Sequence, residues 1–99
     1  MYNAIFVIVD RGKAEAVMDA ALEMGARGGT VIKARGAGVH ETSKLFSMDI
    51  EPEKEIVFVL SKASQTEKIV TGVRDKLEID KPGNGVIFCQ DVNQTYGLM

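Results

Sequence analysis

Two segments of the chain are almost continuously apolar, and this pattern predicts strands in the middle of a sheet. Residues 4–9 read A-I-F-V-I-V and residues 55–60 read E-I-V-F-V-L, and both are rich in β-branched and aromatic side chains. Residues 30–35 and 86–92 also predict strands, but they mix apolar and polar positions. Because a mixed pattern suits a strand that is partly solvated, we expect these two at the edges of the sheet.

Apolar residues recur at helical spacing in two further segments, each of which follows a predicted strand. Residues 13–24 predict the first helix, with Asp10 as its N-terminal cap and Gly25 as its stop signal. Ser64 and Glu67 have the spacing of a capping box at the start of the second helix. The predicted buried face of this second helix consists of Ile69, Val70, Val73 and Leu77.

The predicted elements follow the order strand, helix, strand, strand, helix, strand. Two βαβ units in tandem predict an α+β fold, a ferredoxin-like βαββαβ two-layer sandwich, in a single domain of residues 1–99. A parallel α/β sheet would need a third βα unit, for which 99 residues leave no room. The sequence D-K-P-G-N-G of residues 80–85 predicts the turn before the last strand.

A long loop, residues 37–54, joins the two halves of this pattern. Hairpin loops usually have about 2 to 5 residues, and longer ones are commonly functional. Large apolar side chains within the loop must bury against the body of the protein, a neighbouring subunit or a partner. We therefore predict a partner-binding segment that comprises Leu45, Phe46, Met48 and Ile50.

Composition and charge exclude several classes of protein. The formal net charge is −2, so the chain has no basic excess with which to bind nucleic acid. The only cysteine, Cys89, cannot form an intramolecular disulfide, and its place in the apolar run V-I-F-C predicts a buried small hydrophobe. No secretory signal or membrane-spanning run is evident, and we expect a cytoplasmic protein.

The glycine motifs of the chain resemble those of the PII-like signalling proteins. G-A-R-G-G-T at residues 25–30, G-A-G at residues 36–38 and G-N-G-V-I-F at residues 83–88 fall at the family's spacing. The sequences D-K-P and E-P-E-K-E-I-V are similar to a shorter branch of that family. The resemblance implies a nitrogen-regulatory signalling protein, a PII-like homotrimer that binds a small effector between subunits. It also implies a partner, which in this branch is often a membrane transporter.

The resemblance and the glycines together define the candidate ligand site. Glycine permits close backbone approach, and successive backbone amides can form a concave anion site. We expect residues 28–30 and 36–40 to form one wall and residues 81–85 of a neighbouring subunit to form the other, with Arg35 and Lys81 contacting the anion. The candidate ligand-binding residues are Gly28, Gly29, Thr30, Arg35, Gly36, Ala37, Gly38, His40, Lys81, Pro82, Gly83, Asn84 and Gly85.

Several positions depart from the family pattern and remove charge from this site. Val86 stands where the family has a lysine, and Gly97 and Met99 stand where it has phosphate-binding arginines. His40 replaces a glutamine that helps to bind magnesium and 2-oxoglutarate. Because these replacements remove charge-assisted contacts, we expect weak binding of ordinary Mg-ATP and 2-oxoglutarate. An adenine nucleotide of lower charge, another anion or no ligand at all remain open.

Three other functions compete with effector binding. An enzyme is disfavoured because no nucleophile is paired with a base, so no catalytic residues are assigned. A divalent-metal-binding trimer of the cation-tolerance type would use His40 and Glu41 as ligands. An interaction module with a vestigial nucleotide site would retain the fold alone.

Overall fold

The structure is a computed structural model that describes residues 1–37 and 52–98 of the chain. Within these residues the elements follow the predicted order, and most of their bounds agree with the prediction to within two residues. The elements are β1 (Tyr2–Asp10), α1 (Ala14–Glu23), β2 (Thr30–Arg35), β3 (Glu53–Lys62), α2 (Ala63–Leu77) and β4 (Val86–Val92).

The four strands form one antiparallel sheet in the order β2-β3-β1-β4. The continuously apolar strands β1 and β3 occupy its centre, and the mixed strands β2 and β4 occupy its edges. The ferredoxin-like α+β sandwich predicted from the sequence is therefore confirmed. Neither helix in the described ranges is long and apolar enough to cross a membrane.

The hydrophobic core lies between the two helices and one face of the sheet. Side chains alternate across a strand, so the odd-numbered residues of β1 and β3 point towards the helices. These strand residues and the inner helix faces have almost no exposed surface. The main members of the core are Ile5, Val7, Val9, Val17, Ala21, Val57, Val59, Ile69 and Val73.

The opposite face of the sheet carries aromatic and aliphatic side chains with no helix over them among the described residues. The ring of Phe6 meets Phe58 edge to face and stacks on Phe88, with centroid distances of 4.7 Å in both pairs. Ile32, Val86 and Phe88 are each more than two-fifths exposed. This face, which we call the open sheet face, is a contiguous apolar surface in the single chain.

The N-terminus of α1 is capped by a residue other than the predicted one. Oε1 of Glu55 accepts hydrogen bonds from the backbone N–H groups of Gly12 at 3.0 Å and Ala14 at 2.9 Å. The side chain of Asp10 instead lies beside Lys54. The prediction of an Asp10 cap was therefore wrong, because the carboxylate that reaches the helix end comes from a neighbouring strand.

The predicted capping box at the start of α2 is also wrong. The helix begins at Ala63, which places Ser64 inside the first turn, and no side chain caps the N-terminus. The Thr66 hydroxyl instead hydrogen-bonds the carbonyl of Lys62, the side chain of Asn3 and the hydroxyl of Ser61. This polar network ties the first turn of α2 to the central strands and leaves Ser61 buried with a partner.

Cys89 is exposed in the single chain and not buried as predicted. It lies on the edge strand β4, where the cross-strand pair with Ile5 covers one side of it. Partial burial raises the pKa of the Cys89 thiol. The apolar run V-I-F-C suggested a buried position, but its side chains alternate between the open sheet face and the edge of the core.

Candidate functional site

A cleft of about 600 Å³ lies at the end of the sheet where β1 and β2 stop and β3 and β4 start. These four termini meet because neighbouring strands run antiparallel in the order β2-β3-β1-β4. The turn between α2 and β4 supplies the remaining wall, through residues 79–83 and Gly85. Most of the strand residues that line the cleft are apolar, including Ile8, Ile56 and Val86.

The turn that forms this wall depends on a glycine at position 85. Gly85 has φ of +138°, and a Cβ built on it would lie 2.7 Å from the carbonyl oxygen of Ile8. Such a separation is shorter than a van der Waals contact, so a side chain at this position would displace the turn. Glycine therefore allows the turn to lie directly against the end of β1.

Asn84 fixes the same turn to the end of α2. Its side-chain amide donates hydrogen bonds to the carbonyl oxygens of Glu78 at 3.0 Å and Leu77 at 3.4 Å. Glu78 has a left-handed backbone with φ of +52°, which ends the helix. Asn84 does not itself line the cleft. Its role is to hold in place the turn that does.

The two ends of the long loop meet at the rim of the cleft. The backbone N–H of Gly36 donates a hydrogen bond to the carbonyl of Pro52 at 3.1 Å. In the strand register, Arg35 of β2 lies opposite Glu53 of β3. Since β3 begins at Glu53, the loop is two residues shorter at this end than the predicted range 37–54. A ligand in the cleft would therefore lie next to both stems of the loop.

A cross-strand ion pair lies inside the cleft. Nζ of Lys54 is 2.6 Å from Oδ1 of Asp10, and both residues line the cavity. The Lys54 side chain is only 11% exposed, whereas that of Asp10 is 52% exposed. Burial of this ammonium without a carboxylate nearby would be costly, so the pair stabilises the cation in its position.

The charged residues of the turn are also paired. Lys81 contacts Glu78 three residues before it, and Asp80 accepts a hydrogen bond from Arg74 at 2.7 Å. This hydrogen bond and the negative charge of Asp80 raise the pKa of Arg74. Arg35, by contrast, makes no ion pair with any described residue of the chain.

The structure brings together many of the predicted ligand-binding residues and separates others. Those that line the cleft are Arg35, Gly36, Ala37, Lys81, Pro82, Gly83 and Gly85. Gly36 and Ala37 line the cleft together with Lys81 and Gly83 of the same chain, because β2 ends and β4 begins at the same end of one sheet. The expectation that the turn of a neighbouring subunit completes the site stays a prediction.

The first glycine cluster lies away from the cleft. Thr30 pairs with Phe58, well along β3 from its start, and a Cβ on Gly29 would meet Met18 and the carbonyl of Phe58. Gly28 has open space around it. These residues do not belong to the cleft of their own chain. Gly38, His40 and the predicted partner segment of Leu45, Phe46, Met48 and Ile50 lie outside the described residues.

Sequence reasoning missed Asp10 and Lys54 as cleft residues. The available signal was their position, since one ends the first apolar strand and the other precedes the second. In an antiparallel pair such residues meet at the same end of the sheet. Opposite charges at these two positions therefore indicate an ion pair beside the site.

The structure also contains a second, smaller cavity, and its described residues form no cluster of side chains that could hold a metal ion. The cavity measures about 300 Å³ at the opposite end of the sheet, near Gly25, Lys62 and Gln65. Across residues 1–37 and 52–98, no three side chains of metal-ligating types come together. The His40 and Glu41 pair of the cation-tolerance alternative lies outside these residues.

The chain matches the family model of nitrogen regulatory protein P-II over residues 2–98. Since the match extends over nearly the whole sequence, the chain belongs to the P-II family. The resemblance predicted from the glycine motifs is thereby confirmed. Proteins of this family are regulatory, and they are typically trimers that bind partner proteins.

A solved structure supports the same fold. The chain is similar to PII from Arabidopsis thaliana in a crystal structure bound to citrate, with a TM-score of 0.72 and 24% sequence identity. The similarity covers 92% of this chain and 74% of that chain. No curated protein matches the sequence.

Proposed function

We propose that this protein is a trimeric regulator that binds a small effector in the cleft and controls a partner protein through its long loop. The observation that carries the proposal is the meeting of the loop stems with the turn of residues 79–85 around one cavity. An effector there contacts Gly36 and Ala37 directly. Occupancy can therefore bias the conformation of the loop that follows them.

The effector site favours a small organic molecule with limited negative charge. The cavity is mainly apolar, and Arg35 is its cation without an ion-pair partner in the described ranges. An adenine nucleotide fits this description better when it carries few phosphates, and ordinary Mg-ATP or 2-oxoglutarate fits it poorly. The citrate in Arabidopsis PII supports organic anions as a class to test.

Trimer formation is proposed because of the open sheet face. Ile32 and Phe88, which do not line the cleft, leave large apolar areas exposed in the single chain, and burial of apolar surface favours association. Three copies around an axis would cover these faces in a closed assembly. Proteins of this family are typically trimers, which supports the same arrangement.

The output is proposed to pass through the segment that contains Leu45, Phe46, Met48 and Ile50. The partner we propose is a membrane transporter, with the protein itself in the cytoplasm, and both rest on the resemblance to the short PII-like branch. We propose no catalytic role, because no nucleophile is paired with a base among the cleft residues that the structure describes. No observation favours the metal-binding or vestigial alternative over effector binding.

A ligand screen with a measurement of mass tests this proposal. The purified full-length chain should have three times the mass of one 10.7 kDa chain in light scattering. In thermal-shift and calorimetric experiments, at least one of adenosine monophosphate, adenosine diphosphate, citrate or bicarbonate should raise the melting temperature and bind saturably. Stabilisation by divalent metals alone would favour the cation-tolerance alternative, and a stable trimer without any ligand response would favour the vestigial module.

A further inference from the structure

The ion pair in the cleft has an asymmetry that bears on ligand choice. Lys54 is nearly buried, whereas Asp10, which lines the same cavity, is about half exposed. An anion that contacts Nζ of Lys54 therefore lies close to the carboxylate of Asp10, whose Oδ1 is 2.6 Å from that nitrogen. Two like charges at such short range repel each other strongly where water is partly excluded.

The other charges near the cleft do not relieve this repulsion. Asp80 and Lys81 are each engaged with a neighbour on α2 or at its end. Lys54 is engaged with Asp10, which leaves Arg35 as the cleft cation outside an ion pair among the described residues. The described residues of the cavity can therefore neutralise about one charged group on a ligand, and the apolar side chains around Arg35 suit an apolar body.

We propose that Asp10 is a specificity-determining residue that limits the charge of the effector. By holding Lys54, it restricts the cleft to small organic anions with a single charged group attached to an apolar body. A ligand with several charged groups has to displace Asp10 from Lys54 or leave its own extra charges without a partner. This inference rests on the proposed effector site and names the class of ligand that the site selects.

Calorimetric titration of the full-length protein with three related probes tests the proposal. Adenosine mono-, di- and triphosphate, each without magnesium, share one apolar base and differ in the number of phosphates. The wild-type protein should bind the monophosphate most tightly. In Asp10→Asn the amide keeps an oxygen near Lys54 but removes the charge, so affinity for the triphosphate should rise about tenfold or more while that for the monophosphate changes less.

Glu53→Gln is the matched control. It also removes one carboxylate, from the residue next to Lys54, but Glu53 pairs with the exposed Arg11 and does not line the cleft. Its ratio of monophosphate to triphosphate affinity should equal that of the wild type.

Lys54→Met should weaken binding of all three probes. Asp10→Ser provides a second variant with the same expectation as Asp10→Asn.

The outcomes separate this inference from the proposed function. If the wild type binds the monophosphate but both Asp10 variants keep its ratio of affinities, the charge limit is overturned and the effector site stands. Tighter binding of the triphosphate by the wild type would overturn it as well. If no probe binds the wild type or any variant at millimolar concentration, both the effector site and the charge limit fail.

Discussion

The carboxylate of Glu55 caps helix α1 by accepting a hydrogen bond from the backbone N–H of Ala14 at 2.9 Å. The same oxygen accepts a second bond from Gly12, so one side chain of β3 satisfies two donors at the helix start. A negative charge at this end also interacts favourably with the helix dipole. The start of β3, which leads out of the long loop, is thereby joined to the start of α1.

Replacement of Glu55 should destabilise the protein measurably. Glu55→Ala removes both hydrogen bonds, and we expect the free energy of unfolding to fall by about 1–2 kcal/mol. Glu53→Ala breaks only an exposed ion pair and should cost less than about 1 kcal/mol. Urea unfolding at one fixed protein concentration measures both. Equal losses for the two variants would show that the cap contributes little.

Gly85→Ala should disturb the turn that lines the cleft. The new Cβ would lie 2.7 Å from the Ile8 carbonyl on a backbone with positive φ, and we expect a loss of about 1–3 kcal/mol. Gly28→Ala is the control, because Gly28 has open space around it and no positive φ. Thermal unfolding compares the two. A Gly85→Ala protein as stable as Gly28→Ala would mean that the turn adjusts without cost.

Two adjacent residues of β2 test the role of the open sheet face in assembly. Val31 and Ile32 are both 45% exposed, but Val31 pairs with Val57 on the helix side and Ile32 with Ile56 on the open face. Ile32→Lys should therefore dissociate the trimer, while Val31→Lys should leave its mass unchanged. Light scattering at matched concentration distinguishes them. Dissociation by both variants, or by neither, would argue against assembly through this face.

The Cys89 thiol should react slowly with alkylating reagents at neutral pH. Partial burial raises its pKa, so the neutral thiol persists to higher pH than in a free cysteine and the reactive thiolate appears later. The rate of reaction with iodoacetamide, measured against pH, should have a midpoint above that of N-acetylcysteine. A midpoint at or below the free value would contradict this direction.

The sequence predicted the fold well because the relevant signals are local or periodic. The continuous apolar runs around Val7 and Val57 identified the central strands, and the turn before Val86 marked the start of the last one. The cap of α1 could not be found in this way, because Glu55 lies 41 residues from Ala14. Only the register between β1 and β3 brings the two together.

The candidate site could be predicted only in part, because its geometry also depends on contacts between residues that are distant in the sequence. Glycine motifs identified Gly36 and Gly85 as turn residues, but the motifs alone do not show that both residues line one cleft of the same chain. The ion pair of Asp10 and Lys54 depends on strand register, which the ends of the two apolar runs indicate but the alternation of side chains alone does not fix. The exposure of Cys89 likewise depends on its place in an edge strand with one side uncovered by the chain itself.

Nuclear magnetic resonance of the amide groups tests the effector site most directly. The full-length protein, labelled with ¹⁵N, would be titrated with adenosine monophosphate while the amide shifts are followed. Saturable shifts should concentrate at Gly36, Ala37, Gly83 and Gly85, which surround the cleft. Saturable shifts confined to the opposite cavity near Gly25 and Gln65, or no saturable shifts with any nucleotide or organic anion, would contradict an effector site in the cleft.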